Sequence, residues 1–295
     1  MSCIAAGNMK LSNRNAIITG VSRGFGLAVA GEFVKEGASV IICARDSAKL
    51  EDAAKGLRAI AGPDQKVIAI QLDVSIEEDM KNFINGSIGE LGRIDVLVNN
   101  AGIHGPKGLI EDIDSVEWVR AIETNLLGVF YACKYIIPHM KKNKYGKIIN
   151  LSGGGATAPF PRISAYAASK AAVVRLTETL AEECRDSEID INAVAPGAMN
   201  TRLLEDILDA GPDRVGKDCY DKALKQKESG GVPLERGASL CVYLASSDSD
   251  GITGKLISAV WDPWVNFGKY KEDLKKSDIY TLRRIIPEER GKKWS

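Results

Sequence analysis

Short apolar runs alternate along this chain with longer stretches in which apolar residues recur at helical spacing. Seven runs predict β-strands: NAIIT (15–19), ASVIIC (38–43), KVIAIQL (66–72), IDVLV (94–98), GKIINL (146–151), IDINAV (189–194) and GKLISAV (254–260). Strands that alternate with helices are typical of α/β proteins with a parallel sheet. The pattern therefore predicts a doubly wound, Rossmann-like parallel sheet of seven strands, with helices on both faces.

Residues that start and stop helices fall between these runs. Gly37 and Gly62 follow the first and second predicted helices, in the position of C-terminal caps. Segments 75–78 (SIEE) and 114–117 (DSVE) have the spacing of a capping box, with a serine or aspartate three residues before a glutamate. We expect both segments to open helices.

The strand pattern runs without a linker, repeat or low-complexity segment as far as the last strand. Residues 1–262 are therefore expected to form one domain. Residues 263–295 form a polar tail that carries aromatic side chains, and we expect a C-terminal extension used for packing or oligomer contacts. Its aromatic and arginine side chains offer an alternative role in binding a substrate.

Charge and cysteine content limit the kinds of partner. The chain has 39 basic and 39 acidic residues, so it lacks the basic excess that attracts nucleic acid or anionic membranes. Six cysteines occur without a C-x-x-C pair and only two histidines are present, so no metal site is expected. The N-terminus lacks the pattern of a leader, and no stretch is apolar enough for a membrane span. We expect a cytoplasmic protein whose partner is a small molecule.

A glycine-rich turn, TGVSRGFG (19–26), follows the first predicted strand and precedes the first helix. Gly20, Gly24 and Gly26 permit a tight turn and close approach of a phosphate, to which the helix N-terminus offers N–H donors. The spacing is G-x-x-x-G-x-G, whereas G-x-G-x-x-G is commoner. Its place between strand and helix predicts a dinucleotide site.

The end of the second strand distinguishes the two nicotinamide dinucleotides. An acidic residue there binds the ribose of NAD, whereas an arginine accommodates the 2′-phosphate of NADP. Ala44 stands where the acid is expected, Arg45 follows it, and Arg23 in the glycine turn adds a second cation. These residues favour NADP(H). NAD(H) is the alternative, because Asp46 would reach the ribose if the strand ran longer.

Tyr166 and Lys170 lie four residues apart in SAYAASKAAV (164–173), on one face of a predicted helix. The pKa of a phenol is about 10, and a neighbouring ammonium group lowers it. Such a tyrosine protonates a carbonyl oxygen during reduction or deprotonates an alcohol during oxidation. With the glycine turn, the pair predicts proton and hydride transfer with a nicotinamide cofactor.

Further motifs extend the pattern over about residues 10–260. They are LDVS (72–75), NNAG (99–102), TNLLG (124–128) and PGAMNT (196–201). Together with the glycine turn and the tyrosine–lysine pair, they resemble the single-domain branch of the short-chain dehydrogenase/reductase family.

The resemblance implies a role for each matching residue. Asp73 would contact the adenine, Asn125 would hold a water in a proton relay behind Lys170, and Tyr166 would be the acid–base residue. With Arg45 from the argument above, the expected cofactor-binding residues are Gly20, Ser22, Arg23, Gly24, Phe25, Gly26, Arg45, Asp73, Val74, Asn100, Ala101, Gly102, Tyr166, Lys170, Pro196, Gly197 and Thr201. The resemblance also implies a homodimer or homotetramer, built on the long helices that contain Asn125 and Tyr166.

The chain departs from the family at one catalytic position. The family's serine, which polarises the substrate oxygen, usually stands 13 residues before the tyrosine, and Gly153 occupies that position here. Ser152 comes one residue early, in an atypical Ser-Gly-Gly-Gly segment. On a regular strand its side chain would face away, so it reaches the substrate only if the glycines permit a bulge. Thr157 and Ser164 are alternative donors.

These assignments predict an NADP(H)-dependent oxidoreductase that interconverts a carbonyl and a secondary alcohol on a small molecule. The expected catalytic residues are Asn125, Ser152, Tyr166 and Lys170. Two alternatives stay open: an epimerase or dehydratase that uses the cofactor transiently, and a dinucleotide-binding sensor with weakened catalysis, which Gly153 would explain. Substrate specificity should come from about residues 201–231.

Overall fold

The computed structural model describes residues 9–294, and its core is a single sheet. The strands are β1 (Asn15–Thr19), β2 (Ser39–Ala44), β3 (Val67–Gln71), β4 (Val96–Asn99), β5 (Gly146–Leu151), β6 (Ile189–Ala195) and β7 (Leu256–Ser258). All pair in parallel, in the order β3-β2-β1-β4-β5-β6-β7. The doubly wound α/β fold and its seven predicted strands are confirmed, with ends that move by at most two residues.

Helices cover both faces of the sheet. They are α1 (Gly24–Lys35), α2 (Ser47–Ile60), α3 (Glu77–Leu91), α4 (Ser115–Ile122), α5 (Gly128–Asn143), α6 (Ser164–Glu183), α7 (Arg202–Val215), α8 (Lys217–Ser229), α9 (Leu234–Ala245) and α10 (Lys271–Lys276). Apolar side chains of α1, α2 and α9 fill one buried layer, and those of α3, α5 and α6 fill the other. None of the helices between residues 9 and 294 is long and apolar enough to cross a bilayer.

The helix caps follow the sequence in part. Gly37 follows α1 with φ of +93°, and its N–H donates to Val34, so the glycine cap is confirmed. Asp114 Oδ1 accepts the N–H of Glu117 (2.8 Å), which confirms the cap of α4. Two predictions are wrong. Helix α2 ends in an extended Ala61 before Gly62. Ser75 does not cap α3, because its hydroxyl donates to Asp73, two residues earlier, although the helix does begin inside segment 75–78, at Glu77.

The tail after β7 packs back onto the sheet domain. Phe267 and Leu274 are buried in the same layer as α1 and α9. The carbonyl of Tyr280 accepts the N–H of Leu256 (2.8 Å), so the tail covers the outer edge of β7. Residues on both sides of position 262 therefore pack together, and the division of the chain at that position stays a prediction. Residues 1–8, including Cys3, and residue 295 lie outside the described residues.

Candidate active site

The glycine turn joins β1 to α1 at the carboxyl edge of the sheet. A Cβ on Gly20 would lie 2.8 Å from Cα of Ala101, and one on Gly26 would lie 2.4 Å from the Gly20 carbonyl oxygen, so both positions require glycine. Asn100 fixes the turn, because its Nδ2 donates to the carbonyl oxygens of Thr19 (2.9 Å) and Gly20 (3.0 Å). Among the described residues no side chain caps the start of α1, which leaves its first N–H groups open to a phosphate.

Arg45 and Asp46, at the end of β2, favour different dinucleotides and have different partners in the structure. Asp46 is the N-cap of α2: its carboxylate accepts the N–H of Lys49 (3.1 Å) and pairs with the ammonium group of Lys49 (2.5 Å). Arg45 is exposed, and its Nη1 lies 3.9 Å from Asp73 Oδ2. Arg23 is exposed in the glycine turn. The Asp46 carboxylate is thus bound to residues of α2, while Arg45 lies beside Asp73, the predicted adenine-binding residue.

Asn125 lies at an irregular point between α4 and α5, where one turn of π-helix (Glu123–Leu127) replaces the α-helical pattern. Such turns often occur at functional sites. The Asn125 side chain is fully buried; its Oδ1 accepts the N–H of Ile103, and its Nδ2 donates to the Ile103 carbonyl and to Ser169 Oγ, all within 2.9 Å. The amide therefore joins the loop after β4 to α6.

Tyr166 and Lys170 lie on the first turns of α6, and both side chains are buried, with 6% and 4% exposed. Lys170 Nζ lies 5.6 Å from the centroid of the Tyr166 ring and donates to the carbonyl oxygen of Leu151 at the end of β5 (2.7 Å). A Cβ on Gly102 would come within 3.5 Å of both Lys170 Nζ and Asn125 Oδ1. The structure thus brings the predicted tyrosine, lysine and asparagine together.

Burial controls the titration of this pair. Loss of hydration raises the pKa of Tyr166 to about 12 and lowers the pKa of Lys170 to about 8. The expectation that Lys170 lowers the pKa of Tyr166 is wrong in this structure, because the ammonium group bonds to Leu151 and the phenol is desolvated. A protonated phenol is the form that gives a proton to a carbonyl oxygen.

The segment after β5 places a glycine, not a serine, against the tyrosine. A Cβ on Gly153 would lie 2.1 Å from the Tyr166 hydroxyl oxygen. Ser152 is buried. Its N–H donates to the carbonyl oxygen of Val194 on β6 (2.8 Å), which extends the pairing of β5 with β6 by one hydrogen bond. Its Oγ has no hydrogen-bond partner within residues 9–294. Ser152 as a catalytic residue stays a prediction.

The other predicted donors are placed differently. Thr157 is exposed, and Ser164 Oγ accepts the indole N–H of Trp118 (3.1 Å). Arg283 is one of the tail arginines for which substrate binding was the alternative role, and it pairs with Asp278 (2.8 Å) and Glu289, both in the tail.

The loop after β6 returns to the glycine turn. Gly197 takes φ of +100°, and a Cβ there would meet Val260 Cγ2 at 2.7 Å, so this backbone depends on glycine. The loop carries Thr201 to the start of α7, where its side chain faces Gly24, 3.7 Å from the position of a Cβ. The predicted nicotinamide loop and the predicted pyrophosphate turn are therefore neighbours.

The sequence reasoning missed His104. It lies two residues after the NNAG motif, next to Ile103, and it is one of only two histidines in the chain. The imidazole is buried and packs edge to face on the Tyr166 ring, with centroids 4.8 Å apart. A histidine directly after a cofactor motif is the signal that would have identified it.

Known proteins share this chain's sequence and fold. A family model described as short chain dehydrogenase matches residues 14–211. The 3beta-hydroxysteroid dehydrogenase 1 of Eggerthella lenta is 41% identical over 246 residues, which cover 83% of this chain and 91% of that protein. L-fucose dehydrogenase of Oryctolagus cuniculus is 32% identical over 245 residues, which cover 83% of each chain. The crystal structure of levodione reductase superposes with a TM-score of 0.77 at 28% identity, and covers 84% of this chain and 96% of that one. The chain therefore belongs to the short-chain dehydrogenase/reductase family of NAD(P)-dependent enzymes.

Proposed function

We propose that this protein is an NADP(H)-dependent oxidoreductase that interconverts a carbonyl and a secondary alcohol on a small-molecule substrate. The observation that carries the proposal is the buried group of Tyr166, Lys170 and Asn125 at the carboxyl edge of the sheet, beside the glycine turn. Ligands bind at this edge in doubly wound sheets.

Each residue of the proposed site has its own role in the reaction. When bound, a nicotinamide cofactor would supply or accept the hydride. Tyr166 holds a proton at its phenol oxygen and delivers it to the substrate oxygen, and its raised pKa suits the direction of reduction. Lys170 binds the nicotinamide ribose, Asn125 orders the proton relay, and the unpartnered hydroxyl of Ser152 is our proposed further donor to the substrate oxygen.

The preference for NADP(H) rests on Arg45. The Asp46 carboxylate caps α2, so it is not available as the ribose ligand of an NAD-specific site. Arg45 is exposed beside Asp73, and Arg23 is exposed at the first turn of α1. Two cations at this place favour the 2′-phosphate of NADP.

We also propose a cytoplasmic homodimer or homotetramer. The five described cysteines, at positions 43, 133, 184, 219 and 241, are free thiols, which suits a reducing compartment. Exposed apolar side chains on α4 and α5, Val116, Val119 and Phe130, offer a surface for a second copy of the chain.

Replacement of Tyr166 by phenylalanine tests the chemistry. With NADPH and a panel of ketones, Tyr166→Phe should lower turnover by the ~10²–10⁴-fold typical of general acid–base catalysis, with cofactor affinity nearly unchanged. Lys170→Ala should lower both turnover and cofactor affinity. Tyr243→Phe is the matched control, because it removes a buried phenol hydroxyl on α9 that has no partner within residues 9–294. Wild-type turnover in Tyr166→Phe would exclude the mechanism, and tight NADPH binding without turnover by the wild type would favour a sensor.

A further inference from the structure

His104 is a buried polar side chain with an unused hydrogen-bonding atom beside the proposed acid–base residue. It is 4% exposed, and its Nδ1 has no hydrogen-bond partner among residues 9–294. The planes of the imidazole and the Tyr166 ring meet at 78°. Buried polar atoms in native proteins nearly always have a partner, so an orphan at this place points to a ligand.

The loop after β4 holds His104 rigidly. The preceding residue, Ile103, is bound at both its N–H and its carbonyl by Asn125 (2.8 Å each). The following residue, Gly105, has φ of +72°, and a Cβ there would lie 2.7 Å from the Cβ of Ala121 and 3.3 Å from that of Ala165. The glycine lets the loop approach α4 and α6 closely. The imidazole is thus fixed at the site before any substrate binds, as recognition by hydrogen bonds requires.

Burial keeps His104 neutral, and nearby charges modify the effect. Burial is the main cause that lowers its pKa to about 4, and the ammonium groups of Lys107 and Lys170 act in the same direction. The carboxylate of Asp206 on α7 opposes them. A neutral imidazole offers one donor and one acceptor. It suits a hydroxyl or carbonyl oxygen better than a carboxylate or phosphate.

We infer that His104 binds a second oxygen atom of the substrate, on a carbon next to the one that reacts. The inference rests on the proposed function, in which Tyr166 bonds the reacting oxygen. Because the two rings are in contact, a small ligand with oxygens on neighbouring carbons can bond both side chains. The substrate class is therefore a vicinal hydroxy-ketone, which is reduced to the diol, or a vicinal diketone, which is reduced to the hydroxy-ketone.

Hydroxyacetone and butanone form a matched pair for the test, because a hydroxyl in the first replaces a methyl in the second. The wild type with NADPH should prefer hydroxyacetone in kcat/KM by roughly tenfold, the range of one hydrogen bond. His104→Phe should bring the ratio to about one while retaining activity on butanone, and His104→Gln should restore part of the preference. His139→Gln is the control, since His139 bonds Ile94 and Asn143 on the far part of α5.

The outcomes separate the inference from the function on which it rests. An equal ratio in the wild type and His104→Phe, with both ketones reduced, overturns the role of His104 and leaves the oxidoreductase intact. Failure of the wild type to oxidise NADPH with these and other carbonyl compounds overturns both. The wild-type preference should also stay constant from about pH 6 to about pH 8, and a break near ~6.5, where an exposed imidazole titrates, would contradict a buried neutral ring.

Discussion

The hydroxyl of Tyr166 occupies the space where a side chain at position 153 would begin. A Cβ on Gly153 would stand 2.1 Å from the phenol oxygen and 3.0 Å from Cζ. Carbon and oxygen atoms that are not bonded cannot approach so closely, so this position of the tyrosine requires a glycine. The glycine at position 153, where the family usually has a serine, is therefore coupled to the position of Tyr166, the proposed acid–base residue.

We predict that Gly153→Ser, which restores the residue type of the family, lowers turnover. The new Cβ would displace the Tyr166 hydroxyl, and a misplacement of about 1 Å at a reacting group costs roughly 10²-fold in rate. Steady-state kinetics on any ketone that the wild type reduces will measure the effect. Higher turnover in Gly153→Ser would show that the tyrosine adapts and that the serine hydroxyl is the missing donor.

Gly154→Ala is the control for that substitution. A Cβ on Gly154 would lie 3.4 Å from the ring of Phe160, which is an ordinary contact, and its φ is not positive. Turnover and melting temperature should stay close to those of the wild type. A loss equal to that of Gly153→Ser would indicate that the loop tolerates no side chain, independently of Tyr166.

Arg45→Ala should weaken NADPH binding by about ten- to a hundredfold and leave NADH binding nearly unchanged, because only NADPH carries the 2′-phosphate. Fluorescence titration of both cofactors measures the two affinities. Asp46→Ala should leave their ratio unchanged but lower the melting temperature, since it removes the N-cap of α2. If Asp46→Ala shifts the ratio and Arg45→Ala does not, Asp46 binds the ribose and the enzyme uses NAD(H).

The parts of the structure that depend on local sequence could be predicted without coordinates. Buried parallel strands give short continuous apolar runs, so all seven were visible, and the glycine turn fell between the first strand and helix as expected. The helical spacing of Tyr166 and Lys170 placed them on one face. Each of these features depends on residues close together in the chain.

Features set by tertiary contacts could not be predicted. Lys170 was expected to lower the pKa of Tyr166. Instead, Lys170 donates to the carbonyl oxygen of Leu151 on β5, and burial governs the pKa values of both side chains. His104 shows no periodicity that would place it against Tyr166. Ser75 has the sequence of an N-cap, yet its hydroxyl bonds Asp73 and the helix begins later. In each case a partner distant in sequence, or a competing local bond, decides the outcome.

The buried neutral state of His104 predicts a pH-dependent stability. Its pKa falls from 6.5 to about 4 on folding, so below about pH 6.5 the unfolded chain takes up a proton that the folded protein does not. Stability is therefore lost as the pH falls. Between about pH 7.5 and about pH 5, the free energy of unfolding should drop by about 2 kcal/mol more in the wild type than in His104→Phe. Urea unfolding at both pH values measures this difference, and equal drops would contradict the buried position.

Two truncations will separate the contributions of the C-terminal tail. Removal of residues 263–295 deletes Phe267 and Leu274 from the core and uncovers the edge of β7, where Leu256 bonds Tyr280. Burial of these two side chains alone contributes about 3–6 kcal/mol, so the melting temperature should fall sharply and the exposed edge should promote association. Removal of residues 283–295 leaves those contacts in place and should change neither property much. Equal melting temperatures and equal sedimentation for the two truncated proteins would show that the packing of the tail contributes nothing to the stability of the domain.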